Sequence, residues 1–214
     1  MRKIKVLAPI TLSATAWTPI AVNVPAFSVA LQLRTAADIY LCHETTGSYW
    51  TLKSGSTMTF DLEGINLANA PLSTNLITNG TFTGNANGWT LPGGWAYSSN
   101  EARKSGAGTT AMTQSVAVTP GMLYKISMTW TALTVGSFTV NLGGGNASEA
   151  MASAATYVNY LVAGRSTSPN ISILPAGDTT RGNVDTITMY KMDGQFLLAK
   201  AAAATPVLEI LALI

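Results

Sequence analysis

The stretch Tyr124-Lys125-Ile126-Ser127-Met128-Thr129-Trp130 decides the fold. Its even positions are apolar or aromatic and its odd positions polar. Side chains of an extended chain point alternately to opposite faces, so this pattern is a strand with one face in a core and one in water. The same period of two recurs outward from it. Phe138, Val140 and Leu142 alternate with Thr139 and Asn141, and Ile171 and Ile173 flank Ser172. Turn residues separate the runs: Leu91-Pro92-Gly93-Gly94, Thr119-Pro120-Gly121 and Gly143-Gly144-Gly145. Helical character is confined to Ala147 to Ala155, which is rich in Ala but short. The expected fold class is all-β, built from sandwiches or jelly rolls.

Composition bounds what such a chain can do. Of 214 residues 47% are hydrophobic, enough for a sizeable core, while only 10% are charged, against about 25% in ordinary soluble domains. The polar surface must come from Thr, Ser, Asn and Gly, which suits a protein packed against neighbours. The net charge is +2, and no basic run extends beyond Arg2, Lys3 and Lys5. That footprint is too weak for nucleic acid and reads as a solvated tip. Arg2, Lys3 and Lys5 ahead of an apolar stretch, with Ala14-Thr15-Ala16 beyond, imitate a signal peptide. Pro9, Thr11 and Ser13 interrupt the stretch, so it is read as retained structure. No run approaches the roughly 18 apolar residues of a membrane span. The single cysteine, Cys42, lies in an alternating stretch and is expected as a small buried residue.

The pattern loses its period over Glu63-Gly64-Ile65-Asn66-Leu67-Ala68-Asn69-Ala70-Pro71 and breaks again at Asp193-Gly194. Between these breaks lie about 120 residues, the size of one jelly roll. The flanks hold short strand runs, Ser28 to Leu33, Ile39 to Glu44, Tyr49 to Lys53 and Thr57 to Leu62, and two very apolar ones near the end. A two-stranded hairpin such as Phe196 to Ala201 with Val207 to Leu211 is marginal alone and prone to aggregate if exposed. Its expected place is therefore in the N-terminal sandwich, with Phe196, Leu198, Leu208, Ile210 and Ala212 inward. This predicts a discontinuous domain, 1–66 with 194–214, carrying an inserted jelly roll, 72–192.

The inserted stretch resembles the galactose-binding-like jelly rolls of carbohydrate-binding modules. The resemblance rests on Asn75-Leu76-Ile77-Thr78-Asn79-Gly80-Thr81-Phe82 with Gly88-Trp89 and Gly94-Trp95, on Thr113 to Tyr124 with Gln114, Val116 and Pro120-Gly121, and on Val184-Asp185-Thr186-Ile187. Such modules occur in glycoside hydrolases and in tail and capsid-surface proteins of tailed bacteriophages. The flanks look like short β domains of phage virion proteins, through Trp17-Thr18-Pro19-Ile20, Ala30-Leu31-Gln32-Leu33, Leu52-Lys53-Ser54-Gly55 and the two terminal strands. The two likenesses together imply a virion structural protein, a capsid decoration or a tail or collar surface component. Its expected partners are other virion proteins, further copies of itself and a cell-surface glycan. The alternative is a stand-alone carbohydrate-binding adhesin module. The resemblance also implies a structural calcium beside the opening motif and the last strand. Thr81 and Thr83 stand where acids are common, which leaves Asp185 as the one carboxylate in place.

Residues suited to chemistry are few. The only histidine, His43, sits in a strand run without a recognisable Ser or Asp partner. No two of Asp38, Glu44, Asp61, Glu63, Glu101, Glu149, Asp178 and Asp185 stand out as a glycosidase pair. Gly143-Gly144-Gly145 lacks the Lys-Ser/Thr of a phosphate loop. The chain is expected to be no enzyme and to need no cofactor. Sugar binding requires flat aromatic faces with amide or charged side chains beside them. Trp95, Tyr97, Tyr157 and Tyr160, with Asn100, Arg103 and Asn159, are the candidate ligand-binding residues, each weighed against a core role. Trp89 and Trp130 continue apolar faces and are expected in the core.

Overall fold

The structure, a computed structural model, describes residues 4–20, 28–33, 35, 37–42, 49–61, 73–166, 170–192, 197–203 and 206–213. These residues form strands and turns and contain no helix. Ala147 to Ala155, the expected helical stretch, is irregular. Ser148 and Met151 are instead drawn to β12 (Phe138–Leu142) through Ser148 N to Val140 O at 2.8 Å and Met151 N to Phe138 O at 2.8 Å. Nine residues are too few for helix nucleation to compete with such pairing. The chain divides into two units, one holding 1–44, 48–70 and 193–214, the other 71–192 with 45–47. His43, Glu44, Glu63, the aperiodic stretch through 72 and Asp193-Gly194 lie outside the described residues.

The first unit contains β1 (Ile4–Val6), β2 (Ile10–Thr11), β3 (Thr18–Ile20), β4 (Ser28–Leu33), β5 (Ile39–Cys42), β6 (Trp50–Leu52) and β7 (Thr57–Asp61), then β16 (Leu197–Ala201) and β17 (Val207–Leu213). One sheet has the order β1-β17-β4-β7 with β2 also on β17, and the other β3-β16-β5-β6. Both C-terminal strands therefore lie inside a sheet, with partners on either side. Leu208 and Ile210 stand opposite Leu33 and Leu31, and all four are buried. β16 differs from its expected orientation. Ala199 and Ala201 face the core, opposite Leu41 and Ile39, while Leu198 is buried on the other face beside Cys42. The small residues fit there because the branched ones on β5 already fill the space. Phe196 and the side chain of Ala212 lie outside the described residues.

The segment that imitates a signal peptide is part of the first sheet. β1 and β2 both pair with β17, and between them Leu7 N donates to Ile210 O at 2.9 Å. Pro9 sits at the gap. A proline is tolerated on an edge, where no neighbouring strand needs its missing N–H.

The second unit contains β8 (Trp95–Ser98), β9 (Glu101–Lys104), β10 (Met112–Ser115), β11 (Leu123–Val135), β12, β13 (Thr156–Val162), β14 (Asn170–Pro175) and β15 (Arg181–Lys191). The deciding stretch is the middle of β11, in a five-stranded sheet of order β13-β11-β15-β9-β8; a second sheet has the order β10-β14-β12. Tyr124, Ile126, Met128 and Trp130 all enter the core. Trp130 stacks on Phe138 with ring centroids 4.1 Å apart, and Trp89 packs on Phe82 at 5.5 Å.

The residues that carry the carbohydrate-module resemblance act here as fasteners. Gln114, buried on β10, accepts from Thr78 N and donates to Thr78 O, both at 2.8 Å, imitating a strand pair with its side chain. Asn75 Oδ1 accepts from Met189 N at 2.9 Å. Gly80 lies so close to β15 that Ile187 N donates to its carbonyl at 2.9 Å. Gln114 ties the entry segment to β10, while Asn75 and Gly80 hold it against the end of β15.

Candidate functional site

The seven candidate sugar-contact residues do not form one site. β8 and β13 are opposite edges of the five-stranded sheet, four inter-strand steps or about 19 Å apart. Trp95, Tyr97, Asn100 and Arg103 lie at one edge, Tyr157, Asn159 and Tyr160 at the other.

At the first edge, period-two alternation divides the residues further. Tyr97 stands opposite buried Ala102 and shares the inner face, whereas Arg103 stands opposite Ala96 and Asn183 on the outer face. Ser99 and Asn100 have φ of 53° and 63°, as the two-residue turn of a twisted hairpin requires. Asn100 Oδ1 is occupied, accepting from Gly84 N at 2.9 Å and Tyr97 OH at 3.0 Å. Trp95 is no platform. It is 6% exposed, its ring packs on Phe138 at 5.6 Å, and its Nε1 donates to Thr110 O at 3.1 Å.

Two unpredicted side chains fix this hairpin. Glu101 accepts from Thr131 Oγ1 at 2.5 Å and from Asn183 Nδ2 at 2.7 Å. Lys104, opposite Trp95, is buried and donates to the Gly106 carbonyl. Burial, then Arg181, pushes its ammonium below the ordinary lysine range, with Asp178 opposing. Sequence reasoning missed Lys104 because alternation places it inward, where a lysine is rare.

At the second edge Asn159 is 5% exposed and faces inward beside Ile126, its Nδ2 lying 3.8 Å from Met151 Sδ. Tyr157 is half-buried, with its OH 2.8 Å from Ser153 Oγ. Tyr160 is 4% exposed, and burial raises its phenol to about 12. A proton held more tightly in the folded chain contributes stability that is complete below pH ~10 and is lost as the pH rises through about 12. Absorbance titration should therefore show one tyrosine ionising near 12, together with loss of the fold. Tyr160→Phe should remove that step and raise the pH of unfolding.

The calcium implied by the resemblance meets a single carboxylate here. Thr81 and Thr83 hydroxyls lie 3.0 Å apart and satisfy each other, and Asp185 Oδ1 accepts from Thr186 N at 2.6 Å. Among the described residues no three His, Cys, Asp or Glu side chains are grouped to hold a metal.

The first unit offers two surfaces that sequence reasoning left out. Across the outer face of the β3-β16-β5-β6 sheet runs a row formed by Trp17, Lys200, Tyr40 and Thr51. Lys200 Nζ lies 5.5 Å from the Trp17 ring centroid, and the 45%-exposed Tyr49 packs on Tyr40 in a tilted pair with centroids 4.0 Å apart. The buried Trp17 Nε1 has no hydrogen-bond partner. The second surface is the edge strand β1, where Ile4 and Val6 are 73% and 67% exposed. Val6 shares its face with Leu211 and Ala30. The alternation of Tyr40 with Ile39 and Leu41 could have revealed the aromatic row. Exposure of β1 was signalled only by Lys5 between Ile4 and Val6, since which edge of a sheet stays uncovered is not a local property.

Compared with models of known protein families and with curated proteins, the chain gives no match in either case.

Proposed function

We propose that this protein is a structural component of a tailed-phage virion. The first unit docks on the particle and the second is carried as a projecting jelly-roll module, for host-surface attachment. The observation that carries this reading is edge strand β1. On this three-residue edge Ile4 and Val6, on either side of Lys5, lie in water, and the free side of the strand can pair with another subunit. The short length and Lys5 moderate this edge, as is usual for exposed strands, while Ile4 and Val6 leave apolar surface for a partner to cover. The low charge of 10% and the part-exposed Tyr40–Tyr49 pair, of a residue type enriched in interface hot spots, support the same reading. The reading implies no catalysis and no cofactor.

Two measurements test it. The chain should band with intact phage particles in a density gradient, detected by antibody. Finding it only in the soluble fraction of the lysate would remove the virion assignment. The purified chain should also sediment above monomer mass, and the pair Ile4→Lys with Val6→Lys should reduce it to monomer with an unchanged melting temperature. A wild-type monomer with no affinity for particles would sink the docking role.

A further inference from the structure

We propose that the side-chain amide of Asn79 does the work of a bound cation in the loop that opens the second unit. The unit then folds independently of calcium, and the single substitution Asn79→Asp would make it calcium-dependent. The loop from Asn79 to Trp89 turns back on itself to deliver Phe82 and Trp89 to the core. Its backbone is unusual, with φ of 49° at both Asn79 and Phe82, a left-handed conformation that non-glycine residues seldom adopt. Something must hold it.

The fastening is a convergence of oxygens on one nitrogen. Asn79 Nδ2 donates to Asn85 O at 3.0 Å, to Asn85 Oδ1 at 3.1 Å and to Asn87 O at 3.3 Å. Three oxygens gathered in this way repel one another unless a positive centre lies between them. Calcium supplies that centre with six to eight oxygens at 2.3–2.6 Å. An amide supplies it with two N–H groups, one of them shared between acceptors. The rest of the residue works toward the same closure. Its carbonyl accepts from Phe82 N and Trp89 Nε1, each at 3.2 Å. Asn85 Oδ1 also accepts from Asn87 N at 2.8 Å, which fixes the acceptor's orientation. The amide nitrogen thus stands where the Asn85 and Asn87 oxygens converge, the place a cation bound by them would take.

Aspartate at position 79 would replace the donor with two more oxygens facing the same three. Only a cation could then close the loop. The test is thermal unfolding of the full chain, followed for the second unit's transition in EDTA and in millimolar calcium chloride. Wild type should melt at the same temperature in both. Asn79→Asp should melt lower in EDTA by roughly 3–8 °C and regain at least half of the loss in calcium, with saturation. Asn79→Ala should lose a similar amount in both solutions, since it provides neither donor nor ligand. A wild-type melting temperature that rises by several degrees with calcium overturns the proposal. So does an Asn79→Asp variant that melts like wild type in EDTA, or one that calcium does not restore.

Discussion

Deleting residues 195–214 is expected to abolish the cooperative unfolding transition of the first unit while the second keeps its own. β16 and β17 are interior strands, so their loss separates β3 from β5 and β1 and β2 from β4. It also removes Leu208, Ile210, Ala199 and Ala201 from the core. Each fully buried leucine or isoleucine side chain contributes about 1.5–3 kcal/mol, and the small unit has only a few kcal/mol in hand. The second unit's ladders run among β8–β15 alone. Calorimetry should therefore show two transitions in the full chain, or two overlapping ones, and one in the truncated chain. A truncated chain that keeps both transitions, or loses both, contradicts the assignment of these strands.

Gly80→Ala is expected to be the most damaging single methyl group in the second unit, with Gly164→Ala close behind. A Cβ on Gly80 would lie within 3.0 Å of the Ile187 carbonyl, which is backbone and cannot rotate away. The N–H of the same residue holds the entry segment, so the clash also endangers the bond from Ile187 N to Gly80 O. A Cβ on Gly164 would meet the backbone of Gly143, Gly144 and Gly145. Overpacking against flexible side chains costs about 1–3 kcal/mol, and a clash with fixed backbone belongs at or above the top of that range. The expected loss is roughly 10 °C or more in melting temperature. Gly177→Ala is the control. It has nothing within 4 Å of the added methyl, and its melting temperature should move by no more than a degree or two. Equal effects at positions 80 and 177 would show that the close approach is not what Gly80 provides.

The reading of Gly143-Gly144-Gly145 as a turn captured only half of its role. Gly143 and Gly144 do turn the chain, with φ of 55° and 70°. The triplet also admits Gly164 from a distant part of the sequence, and no local pattern announces such an approach. Trp95 shows the same limit from another side. It follows a turn, its sequence leaves open either a ligand or a core role, and it is buried. Whether an aromatic ring meets core or solvent depends on which face another sheet covers.

The sequence by itself determined the all-β class, the inward face of β11 through Tyr124, Ile126, Met128 and Trp130, and the need to bury Val207 to Leu211. These follow from alternation and from the cost of leaving apolar strands in water, both properties of short stretches. Only the tertiary structure decided that Ala199 rather than Leu198 faces the core, that Trp95 is inside, and that the candidate sugar contacts lie on opposite sheet edges. Strand order and register are set by pairing between residues far apart in the chain. A shift of one residue moves every side chain to the other face, and an edge becomes an edge only when no further strand arrives.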